Sequence, residues 1–244
     1  MKQHIDTIPV WDAYKADTEC PLCCIRSASE AAYVEEALGD SVMEPASRVE
    51  ANRVGFCNRH LTRMFQAGNR LGLALLTDTR LIEVVGRVEE AARRAGQAQG
   101  RTLLGRPSAS AAQAAREGAK AARAAAQDCV ICKKLDTAMA RYVVTILYLW
   151  AREREFREIF TQSKGLCVAH YADLLERAPD EIPGDRLPEF ISALNRVQLE
   201  GLERVERDLK WFTEKFDYRN RDKPWGDSED AVERALLKLR GPVI

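Results

Sequence analysis

Gly165-Leu166-Cys167-Val168-Ala169-His170 is the second occurrence of a pattern first met at Gly55-Phe56-Cys57-Asn58-Arg59-His60. Each occurrence follows a Cys-x-x-Cys pair, Cys20 and Cys23 before the first and Cys129 and Cys132 before the second. The pairs lie 109 residues apart and the Cys-x-x-His motifs 110, so one inserted residue separates two copies of a four-ligand set. Thiolates and imidazole in this number and spacing are zinc ligands, and two sets in register make chance a poor explanation.

Read serially, Cys20, Cys23, Cys57 and His60 form one metal site, and Cys129, Cys132, Cys167 and His170 form the other. In that reading each copy is an antiparallel helical hairpin. Its two open ends return to one place, where an ion clips them shut. Cys57 and His60, or Cys167 and His170, share one face of a helix start because residues three apart are neighbours there. Zinc is the expected ion at both sites, and an iron–sulfur cluster with one histidine ligand is the alternative. Four protein ligands leave no open position for water or substrate, so the expected role is structural, with no catalytic residue assigned. Glu19 and Asp128, each just before its Cys pair, are expected to cap or tune the knuckle. The seventh cysteine, Cys24, reads first as a buried helix residue, and otherwise as a redox thiol activated by the metal and the helix N-terminus.

Composition narrows the function classes. The 244 residues carry 37 basic and 37 acidic side chains, a balance that argues against a dedicated nucleic-acid binder. No run of eighteen apolar residues suggests a membrane span, and the first residues lack the apolar core of a signal peptide. The expected compartment is the cytoplasm, where thiols stay reduced and available to metal.

Alanine, leucine, glutamate and arginine predict helices throughout. An extended lead-in is expected over residues 4–19, with a turn or two of helix from Val10. Helices follow over 24–38, 45–54 and 70–94. The last of these has an apolar face of Leu71, Leu75, Leu76, Leu81, Ile82, Val85 and Val88. Residues 95–127 have few large apolar side chains. Gly96, Gly100, Gly105 and Pro107 mark a loop, and residues from Ser110 form at most a weakly packed helix interrupted by Gly118. Beyond the second hairpin, a short helix ends near Arg177 before Pro179 and Pro183. A long helix over 186–217 shows apolar residues at steps of three or four, with Gln198 breaking the seam.

Several strings resemble a bacterial domain-of-unknown-function family: Ile8-Pro9-Val10 before Cys20-Pro21-Leu22-Cys23, Val54-Gly55-Phe56-Cys57 with His60, Asn69-Arg70-Leu71-Gly72-Leu73-Ala74-Leu75, Tyr148-Leu149-Trp150, Gly165-Leu166-Cys167 with His170, and Lys215-Phe216-Asp217-Tyr218-Arg219 with Pro224-Trp225. They cover nearly the whole chain apart from 95–127. The resemblance implies that both metal patterns are kept and adds no activity, substrate or partner.

The sequence therefore predicts an all-α protein of two pseudo-repeated, metal-clipped hairpin modules, at 1–94 and 129–244, joined by a linker at 95–128. Its expected role is a non-enzymatic zinc protein that binds another macromolecule, a protein rather than a membrane. The alternatives are a nucleic-acid-associated regulator using the basic stretch 80–127, with nine basic and four acidic residues, and a redox or iron–sulfur protein.

Overall fold

The computed structural model describes residues 3–96, 109–125 and 128–241. Among the described residues there are eleven α-helices, a few single 3-10 turns and no strand. In order they are α1 (Gln3–Lys15), α2 (Pro21–Leu38), α3 (Pro45–Val54), α4 (Asn58–Gln66), α5 (Arg70–Gly96), α6 (Ala109–Ala124), α7 (Val130–Arg152), α8 (Arg154–Gln162), α9 (Val168–Glu181), α10 (Leu187–Glu214) and α11 (Ala231–Arg240). No helix among them is long and apolar enough to cross a membrane.

The serial order of modules is not observed. The chain divides into one unit made of Met1–Ser29 and Asp136–Ile244, and a second unit, Glu30–Leu135, inserted within it. Helices α2 and α7 each run through a division point, so each contributes one end to either unit. The expected boundaries at 94 and 129 fall inside the second unit.

The first unit has an aromatic core. Trp150 meets Phe190 edge-on at 5.0 Å, and Tyr14 meets Phe156 at 5.0 Å and stacks on Phe160 at 5.7 Å. Cys20, Cys23 and Cys167 are buried in the same cluster. Burial of Val10, Ala13 and Tyr14 holds α1 together although Pro9 lies inside it, which replaces the expected extended lead-in. Likewise α9 continues through Pro179 to Glu181, because Leu174 and Ala178 are fully buried and keep its last turns packed. At the far end, Lys215 donates to the carbonyls of Asn220 and Arg221 at 2.8 and 2.9 Å and lies over the Trp225 ring, which folds the tail back on α10.

The second unit buries Val34, Leu38, Ala51, Met64, Leu76 and Leu135. Helix α6 is not weakly packed at Gly118. A Cβ built there would lie 3.0 Å from the Ala91 carbonyl oxygen and 3.1 Å from the Ala95 Cβ, so the glycine is where α6 closes on α5. The expected loop at Gly100, Gly105 and Pro107 lies outside the described residues. Of the seven residues of the expected apolar face of α5, only Leu76 is buried, and the others face water.

Candidate metal centres

The eight predicted ligands gather into two quartets, but crosswise. Cys20 and Cys23 meet Cys167 and His170, whereas Cys129 and Cys132 meet Cys57 and His60. The serial pairing is therefore corrected, and helix length gives the reason. Helix α2 has 18 residues and rises about 27 Å, while the returning α3 has 10 and rises about 15 Å. Cys57 is left well short of Cys20. The same mismatch holds for α7 with 23 residues and α8 with 9. Each Cys-x-x-His is closed by the other copy's Cys-x-x-Cys. Each quartet then lies wholly within one unit, Cys20, Cys23, Cys167 and His170 in the first, Cys57, His60, Cys129 and Cys132 in the second.

Every ligand lies in or next to the first turn of a helix. Cys57 and Cys167 are the N-caps of α4 and α9, with extended backbone at ψ 163° and 158°. Cys20 and Cys129 precede α2 and α7, and their carbonyls accept from the backbone N–H of Cys24 and Lys133 at 3.1 Å. Pro21 suits the first position of α2, where no N–H is required. Each quartet thus sits at two helix N-termini, whose peptide dipoles favour thiolate charge. Two residues before each Cys-x-x-His cysteine, Gly55 and Gly165 turn the chain with φ of 87° and 85°, a region closed to most side chains.

The ligand atoms have the spacing of a tetrahedron. In the first unit, Cys23 Sγ lies 3.6 Å from Cys167 Sγ, and His170 Nδ1 lies 3.4, 3.4 and 3.2 Å from the sulfurs of Cys20, Cys23 and Cys167. In the second, Cys57 and Cys132 are 3.8 Å apart, and His60 Nδ1 is 3.2, 3.2 and 3.5 Å from Cys57, Cys129 and Cys132. A single ion with metal–sulfur bonds of about 2.3 Å sets sulfurs about 3.8 Å apart and sulfur to nitrogen about 3.5 Å apart. A disulfide needs about 2.0 Å, so these sulfurs are unbonded, and all seven cysteines are free.

The surroundings differ. His60 Nε2 donates to Glu30 Oε1 at 2.9 Å, which leaves the Nδ1 lone pair for the sulfurs. Glu30 is buried and also receives Arg59 at 2.7 Å and Arg63 at 2.9 Å. Burial lowers the pKa of His60, and Glu30 opposes it without prevailing. Among the described residues no carboxylate hydrogen-bonds to His170, although Asp173 lies close enough to feel its charge. His170 lines an open cleft with Arg26, Asp136, Met139, Asp173 and Glu176. Burial lowers its pKa, but the sulfurs of Cys167 and Cys20 outweigh that and raise it to about 10.

The thiols are also uneven. Burial pushes Cys57 up, yet the backbone N–H of His60 and the neighbouring sulfurs bring it below its ordinary value. Burial and Cys129 push Cys132 up to about 12.

Glu19 and Asp128 were expected to play like parts, and they do not. Glu19 is buried, pairs with Arg204 at 2.5 Å and Lys238 at 3.3 Å, and its carbonyl accepts from Lys238 at 2.8 Å. Asp128 is exposed and pairs with Lys133 at 3.3 Å. Each quartet consequently has one buried carboxylate between two cations, Glu19 with Arg204 and Lys238, Glu30 with Arg59 and Arg63. A divalent ion with three thiolates and a neutral imidazole carries one net negative charge, and each group of three carries one positive.

Residues to which the sequence reading gave no role at the sites complete the support. Gln198, the break in the α10 seam, is buried and clamps Leu166, accepting its N–H and donating to its carbonyl at 3.0 Å each. Arg80 donates to the carbonyls of Asn52 and Ala125, tying α3 to the segment before Cys129. A polar residue inside an apolar stripe was the one available signal for Gln198. Cys24, expected to be buried, is exposed. In the basic stretch, Arg80 and Arg87 serve backbone carbonyls, and Arg93 and Arg94 pair with Glu90.

The fold and these quartets define an all-helical protein with two Cys/His clusters able to hold metal ions. The chain belongs to the family of unknown function DUF6062, whose model matches residues 1–244. No curated protein and no solved structure gives a match.

Proposed function

We propose that each quartet holds one Zn²⁺ and that the ions are structural, making this a cytosolic, non-enzymatic zinc protein that presents a helical surface to a protein partner. The observation that carries the reading is the spacing of ligand atoms, all within 4.8 Å of one another in each quartet. That fits one ion. An iron–sulfur cluster places sulfide between its irons and spreads its ligands further. Three thiolates and one imidazole saturate a tetrahedral ion, so its chemistry is to fix helix ends rather than to activate water. In the first unit Cys20, Cys23, Cys167 and His170 join the starts of α2 and α9. In the second Cys57, His60, Cys129 and Cys132 join the starts of α4 and α7.

Elemental analysis of anaerobically purified protein tests this. The expected result is about two zinc per chain and no colour. Brown protein with visible absorption and stoichiometric iron overturns it.

A further inference from the structure

Helix α5 buries one side and leaves the other uncovered. Gly72, Leu76 and Ala91 face inward. Leu71, Leu75, Leu81, Ile82, Val85 and Val88 face water, with Leu71 72 % and Ile82 67 % exposed. Together these side chains expose on the order of 500 Å² per copy, the upper range of an apolar patch on a monomer.

The residues at 71, 75, 78, 82, 85 and 89 step alternately by four and three, the heptad seam of a helix pair. Leu81 and Val88 widen the seam on one flank. Asp78 and Glu89 are its two charged members. A parallel, in-register pair would set Asp78 against Asp78 and Glu89 against Glu89. An antiparallel pair centred on residue 80 avoids both clashes. Leu75 then opposes Val85, Ile82 opposes Asp78, Leu71 opposes Glu89, and Leu81 meets its own copy. Arg70, held over the Phe65 ring at 3.3 Å, comes beside Glu89 at both ends. Two such faces bury ~1,000 Å², the lower bound of a specific interface.

We propose that the occupant of this face is a second copy of the chain, forming an antiparallel, two-fold α5–α5 dimer. The pairing uses only the inserted unit and is independent of the metal reading.

Sedimentation velocity on the full, metal-loaded chain tests it. The expected result is a dimer in the micromolar range, and a monomer for Ile82→Asp with unchanged helical circular dichroism. A monomeric wild type at about 100 µM, where even a weak specific pair should assemble, overturns the proposal and leaves the face to a different protein. So does a dimer that Ile82→Asp does not weaken. Orientation is tested by charge exchange. Arg70→Glu is expected to weaken the dimer about three- to tenfold through two pairs. Adding Glu89→Arg is expected to restore it. No restoration overturns the antiparallel register.

Discussion

The two quartets share a ligand set but guard it in opposite ways. In the first unit Cys20, Cys23 and Cys167 are buried, while the imidazole of His170 borders an open cleft. In the second the imidazole is locked by buried Glu30, while Cys57 and Cys132 are half-exposed. One buries all three sulfurs and sets its histidine, also buried, against an open cleft. The other secures its histidine and leaves two sulfurs within reach of solvent. Identical ligand chemistry therefore does not imply identical hold or identical reactivity, since neighbours set both.

The largest expected effect breaks the crosswise pairing itself. Cys20→Ser with His170→Ala removes two ligands of one quartet, and one zinc per chain should remain. Cys20→Ser with His60→Ala touches both quartets, and zinc should fall towards none. The serial pairing gives the opposite pattern, so elemental analysis of the two double variants decides between them. Structural zinc contributes roughly 10–16 kcal/mol of apparent binding energy. That exceeds or matches the whole stability of most domains, so the unit that loses its ion should unfold.

A smaller effect sharpens the contrast between the histidines. Glu30→Ala should weaken zinc at the second quartet by roughly 10- to 100-fold and leave the first unchanged. Competition with a chelator reads this as one ion leaving early. Counting the 109-residue offset from Glu30 reaches Met139, which lines the cleft beside His170. Met139→Glu should bring a carboxylate within hydrogen-bond reach of the His170 ring and slow loss of the first ion. An unchanged release rate would mean that the cleft, and not the missing carboxylate, distinguishes the sites.

The smallest concerns the knuckles. Gln198→Ala leaves the N–H and carbonyl of Leu166 without their partner, at a cost of about 1–3 kcal/mol. Thermal unfolding should register it in the first unit, with two zinc still bound. The second knuckle is fixed differently, by the Gly55 carbonyl accepting from Val130 N–H at 3.0 Å, and should not respond.

Much of this was legible in the chain, and the failures have specific causes. Residue type and spacing sufficed to name all eight side chains that the two clusters gather. Helix bounds followed breakers such as Gly39 and Gly55. Partnership between ligands could not be taken from spacing, because nearness along the chain is not nearness in space. The clue that was available lay in the lengths of α2 and α3, which cannot return Cys57 to Cys20. Glu30 was hidden because a single glutamate on a helix has no signature until a partner faces it, and Gln198 showed only as a break in the seam, without its role. The proline-based stops failed at Pro9 and Pro179 because buried neighbours outweigh a lost hydrogen bond.

The inserted arrangement also sets an order of assembly during synthesis. The second quartet spans residues 57 to 132 and can close as soon as Cys132 has emerged. The first joins Cys20 to His170, 150 positions later. On the proposed two-ion reading, the earliest thiols made are the last to be captured, and they wait while the inner quartet can already hold its ion.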